Sequence, residues 1–125
     1  MMEGVVNAAH EAVLTLSLEG PAGETRDIAA VVDTGFTGFL TVTPALAAEL
    51  GLPFEGTARA TLADGSETTF PYYCVAVLWD GRTRYVEADA ADTTPLVGMR
   101  LLDSHSLYVE VEDGGRVVIE LRATG

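Results

Sequence analysis

Asp33-Thr34-Gly35 follows the apolar run Ile28-Ala29-Ala30-Val31-Val32. A strand of that kind delivers a carboxylate into a tight turn. Two carboxylates sharing one proton and a water molecule can hydrolyse an amide. One is the base that activates the water; the other, kept protonated, polarises the carbonyl. The tripeptide occurs once in the chain, so a single copy supplies half of this machinery. The chemistry therefore needs two chains around one site. Taken alone, Asp-Thr-Gly is also an ordinary turn in which Asp33 caps backbone amides at a strand end.

Other reactive residues form no comparable pattern. His10 and His105 lack metal-ligand spacing. Cys74 lies in a strand-like apolar run and reads as a small buried hydrophobe. Ser66 and Ser104 sit in no Gly-x-Ser-x-Gly elbow. Asp92 and Asp103 precede a hydroxyl residue, but no Gly completes either motif.

The elements that must position Asp33 are mostly strands. Leu14, Leu16 and Leu18 alternate with polar neighbours, the period of a half-buried strand. After the Gly20–Gly23 turn, Thr25 to Asp33 reads as its partner, and its continuous apolar end predicts burial on both faces. Asp64-Gly65, Asp80-Gly81 and Asp113-Gly114 each separate β-branched or aromatic segments, which predicts three hairpins. Thr43 as N-cap, Pro44 in the first helical position and Gly51 as terminator predict one helix. A second short helix is predicted over Met99–Ser104, with Leu101 and Leu102 facing the core.

The chain has 125 residues, enough for one domain over residues 1–125, and 48% are hydrophobic. The net charge is −12, from 19 acidic and 7 basic residues. Such a balance argues against nucleic acid and anionic membrane surfaces, which both need clustered cations. No segment approaches the roughly 20 apolar residues of a membrane span, and Met1-Met2-Glu3-Gly4 shows no basic segment followed by an apolar one, so no signal peptide is expected. With one cysteine and no internal disulfide, a cytoplasmic location is expected.

Downstream of Asp33-Thr34-Gly35, an Asp-Gly hairpin is followed by Pro95-Leu96-Val97-Gly98-Met99-Arg100-Leu101-Leu102. This order of parts resembles the retropepsin-like (clan AA) aspartic proteases. Asp33-Thr34-Gly35-Phe36, the Thr-Pro-initiated helix, Leu62-Ala63-Asp64-Gly65-Ser66 and Leu96-Val97-Gly98-Met99 are most similar to their small prokaryotic group. The resemblance covers roughly residues 13–111. It implies a mainly β, single-domain closed barrel with one or two short helices, acting as a homodimer, without metal or cofactor. It also implies a peptide or protein substrate.

On that resemblance Asp33 is catalytic in each subunit, Thr34 joins a hydroxyl network between subunits, and Gly35 makes the turn. Ala63, Asp64, Gly65 and Ser66 form the tip of a flap over the substrate. Phe36 replaces a small or hydroxyl residue of many relatives. Thr37 and Met99 stand where retroviral members pair an Asp with an Arg, and both partners are absent together. The flap also lacks the viral glycine-rich run. The expected activity is aspartic endopeptidase; the alternative is a non-catalytic dimeric peptide-binding module of the same fold.

Overall fold

The computed structural model describes residues 1–123, and these are mainly β. Ten strands run in chain order: β1 (Met2–Val6), β2 (Ala12–Glu19), β3 (Thr25–Val32), β4 (Leu40–Val42), β5 (Phe54–Thr61), β6 (Glu67–Trp79), β7 (Arg82–Ala90), β8 (Leu96–Val97), β9 (His105–Val109) and β10 (Arg116–Leu121). The helix α1 (Pro44–Glu49) follows β4. No helix among the described residues is long and apolar enough to cross a membrane.

The sheet order is β5-β6-β7-β4-β8-β3-β2-β1-β10-β9. It returns on itself because β6 is long enough to hold two neighbours along one edge. Its first half pairs with β5, from Glu67 to Tyr73, and its second half with β2 at Ala76 and Val77. Six strands thus form a ring: β6, β7, β4, β8, β3 and β2. Leu14, Leu16 and Leu18 point inward with no more than 1% of their surface exposed, meeting Val75, Val77, Val86, Ala88 and Val97. Each such side chain contributes on the order of 2 kcal/mol through burial.

The turns follow their residues, with one distinction. Asp80 (φ 50°) and Gly81 (φ 80°) both take the left-handed conformation, which joins Trp79 directly to Arg82 in a two-residue turn. At the other two Asp-Gly pairs only the glycine, Gly65 or Gly114, has positive φ, and the loops are longer. The helix starts as expected: the Thr43 hydroxyl accepts from the Leu46 N–H at 3.1 Å.

Three expectations are corrected. Cys74 is not a buried hydrophobe, being only partly buried on the outward side of β6. Residues 99–104 make a succession of turns instead of a helix, although Leu101 and Leu102 are buried as anticipated. Ser104 takes φ 68°, which stops the segment after one turn. The run Ile28–Val32 is not buried on both faces: Ala30 is buried, but Ala29 is exposed. Covering a second sheet face takes helices, and α1 has only six residues.

Candidate active site

Asp33 stands immediately after β3, in the loop 33–39 that leads to β4. β3 and β4 are consecutive in sequence but not adjacent in the sheet, since β8 lies between them. On one side β8 runs parallel to β3, with Leu96 opposite Val31 and Val97 opposite Val32. On the other, Val97 pairs with Leu40 of β4 in antiparallel fashion. The loop bearing Asp33 must therefore pass across the end of β8.

Backbone hydrogen bonds fix that crossing. Asp33 N–H donates to the Val97 carbonyl (2.9 Å), and Gly98 N–H to the Phe39 carbonyl (2.9 Å). Met99 and Arg100 N–H then donate to the carbonyls of Phe36 (2.8 Å) and Gly38 (3.1 Å). From Asp33 to Phe39 the chain is thus tied to β8 and to the segment following it. The Thr41 hydroxyl accepts from Leu96 N–H at 2.8 Å and anchors β8 from the β4 side. Thr41, 7% exposed, is buried among Leu40 and Val42, and its sequence context gives no hint of that role.

Gly98 is demanded by space and not by dihedral angle. A methyl group there would lie 2.1 Å from the Gly38 carbonyl oxygen and 2.7 Å from the Phe36 ring. A methyl on Gly38 would come within 2.6 Å of the same ring. Phe36 is therefore packed between two glycines, holding the loop flat on β8. The sequence presents it as a lost hydroxyl; the structure makes it a wedge.

The Asp33 carboxylate accepts from Gly35 N–H at 2.9 Å through Oδ1. A methyl on Gly35 would stand 3.2 Å from that oxygen, so glycine permits the close approach. Phe36 N–H donates to the Asp33 carbonyl (3.1 Å) and completes the turn. Asp33 is half-buried, while Thr34 and Gly35 are exposed. Among the described residues the Thr34 hydroxyl bonds to nothing within the protomer.

The other predicted residues lie at the tip of the β5–β6 hairpin. Leu62 N–H donates to the Ser66 carbonyl (2.7 Å) and Gly65 N–H to the Leu62 carbonyl (2.9 Å), with Gly65 at φ 84°. Asp64 Oδ1 accepts from the Ser66 N–H (2.9 Å) and the Ser66 hydroxyl (2.5 Å). The hydroxyl first, and then the N–H, hold the Asp64 carboxyl below the usual carboxylate value. Residues 62–66 are exposed, and among the described residues the turn bonds only to itself. Residues 67–71 of β6 have β5 as their sole strand partner, so the hairpin extends past the ring as a two-stranded ribbon. Such a ribbon opens at low free-energy cost. Asp33, Thr34 and Gly35 are thus brought together with Phe36 and Gly98, whereas among the described residues no hydrogen bond joins the hairpin tip to them.

A second carboxyl borders the loop. Asp89 of β7 lies opposite Thr41 of β4 and Tyr72 of β6, and its Oδ2 would be 3.5 Å from a methyl on Gly38. Burial, and secondarily the charge of Glu87, push its carboxyl above the usual value. A raised folded-state value favours folding below the unfolded pKa, and that contribution is lost as pH rises through the folded value. Asp89→Asn should therefore raise Tm at pH 7 and change it little at pH 3. Paired thermal melts across pH check this; an equal shift at both pH values contradicts it.

Among the described residues no three His, Cys, Asp or Glu side chains converge as a metal-holding group. Compared with known family models, curated proteins and solved structures, the chain matches none. What the Asp33 loop can do is read from its own residues and geometry.

Proposed function

We propose that the protein is a homodimeric aspartic endopeptidase of retropepsin-like fold, with Asp33 from each subunit at one active site. The observation that carries this reading is a half-buried carboxylate on a loop locked across β8. Its exposed neighbours Thr34 and Gly35 are left open to a partner. A rigidly held carboxylate has the preorganisation that hydrolysis requires. Two of them brought together would divide their roles, one base and one acid, because like charges in contact cannot both ionise.

Thr34 would bond across the two-fold axis, and the β5–β6 hairpin would close over a bound peptide. A two-stranded ribbon fits that duty, since a lid must move and then exclude water. The homodimer would meet through the Asp33 loops. β1 and β10 already pair with each other from Met2–Ile119 to Val5–Arg116, so exchanging them between subunits would first break those pairs.

A diverse peptide library incubated with the protein between pH 3 and 8 tests the reading. Absence of cleavage throughout that range overturns it, and binding without cleavage would favour the non-catalytic module. Association is opposed by charge, because each protomer carries −12 and a pair carries twice that, −24. Salt confines repulsion to about 8 Å at physiological ionic strength. The dimer should therefore tighten as salt rises, as sedimentation equilibrium can measure. Loosening with salt would instead reveal attractive ion pairs at the interface.

A further inference from the structure

The β6–β7 hairpin has two faces. Val75, Val77 and Trp79 with Val86 and Ala88 fill the core, so Cys74, Leu78, Tyr85 and Glu87 are directed outward. On that outer face Tyr85 is 78% exposed and Leu78 50% exposed. Three concavities run along it in series. One of about 280 Å³ lies between Glu55, Tyr72, Cys74 and Glu87, with Tyr85 on its wall. A second, of about 180 Å³, continues past Tyr85 and Cys74 to Glu19 and Pro21. A third, of about 150 Å³, passes Glu19 and Leu78 to Thr25.

Glu19, Glu55 and Glu87 border these hollows, and none of them has an ion-pair partner among the described residues. The cations that are paired serve Glu3, Glu49, Glu67 and Asp80 elsewhere. The Cys74 thiol is pushed up by burial and then by Glu55. Asp89, at the end of the same row, is pushed up by burial and then by Glu87.

We infer that this face docks a cationic stretch of polypeptide that also carries an aromatic or apolar side chain. Lys or Arg side chains would meet the unpaired carboxylates. Tyr85 offers its ring to a guanidinium or to an apolar side chain, and the hollows on either side take what flanks it. The occupant's charge matches the face, and association would be accelerated by the net charge of the whole chain. The inference does not depend on peptide hydrolysis.

The test uses the full chain carrying Asp33→Asn, so that no ligand is cleaved. Binding of a fluorescein-labelled Arg/Lys-rich peptide containing one Phe is followed by anisotropy. Glu55→Gln with Glu87→Gln should weaken binding about tenfold, each lost ion pair contributing a modest share. Tyr85→Ala should weaken it in the same direction. A charge-matched control, Glu112→Gln with Asp113→Asn in the loop between β9 and β10, should leave affinity unchanged. Equal weakening by both double variants would show diffuse attraction and overturn the site. So would equal binding of an acidic peptide, or no binding at all. None of these outcomes bears on whether the wild-type protein cleaves peptides.

Discussion

Asp33→Asn is expected to lower peptide cleavage by at least about 10⁴-fold. Loss of one general acid or base typically costs 10²–10⁴-fold. In a homodimer a single substitution removes both carboxylates at once, so the loss lies at or beyond the top of that range. Folding should be nearly untouched. The Asn amide oxygen can accept from Gly35 N–H as Asp33 Oδ1 does at 2.9 Å, so the turn keeps its bond. The change in stability should stay below about 1 kcal/mol. Parallel measurement of kcat/KM and Tm separates chemistry from folding.

Mixing adds a sharper readout. Excess Asp33→Asn chain added to wild type should suppress activity, because each mixed dimer holds one carboxylate. Activity indifferent to the added variant would mean that one protomer suffices, and the shared-site mechanism would fall.

Gly98→Ala is expected to destabilise the protein by about 3 kcal/mol, the upper end for overpacking a close contact. For a domain of this size that is a fall in Tm of roughly 10 °C. The added methyl would stand 2.1 Å from the Gly38 carbonyl oxygen, a backbone atom held by its bond from Arg100 N–H. The Phe36 ring at 2.7 Å closes the other way out. Relief requires the Asp33 loop to lift from β8, so activity should fall together with stability. Gly65→Ala is the contrast. Nothing lies within 4 Å of a methyl there, and only the left-handed backbone resists, at about 1–2 kcal/mol. A Gly98→Ala melt within a few degrees of wild type would disprove the clamped-loop geometry.

These two residues were not equally legible. Asp33-Thr34-Gly35 announces itself because three adjacent residue types each have a local duty. The Leu14–Leu16–Leu18 alternation, the Thr43-Pro44 helix start and the Asp80-Gly81 turn are legible for the same reason. Each is settled by interactions within a few residues along the chain. Phe36 misleads when read that way, since its partners are Gly38 and the distant Gly98. Asp89 gives no sign in sequence of bordering the Asp33 loop, because that proximity comes from the pairing of β7 with β4. The outward opening of β3 at Ala29 was also hidden, for a run of apolar residues does not reveal what covers it.

By itself, then, the sequence determined a β-rich chain, its hairpin turns, the helix started by Thr43-Pro44 and a single carboxylate in a strand-end turn. Period-two burial and turn chemistry are local, and local rules suffice for them. The tertiary structure alone decided that β8 enters between β3 and β4 and that Gly98 admits the loop over it. It also decided that the hairpin tip stands free of the protomer. Parallel pairing of Val31 with Leu96 joins segments far apart in the chain, and no residue pattern near either one encodes its partner. That long-range crossing is what turns Asp33 from a turn residue into a half-buried carboxylate fixed at the end of β3.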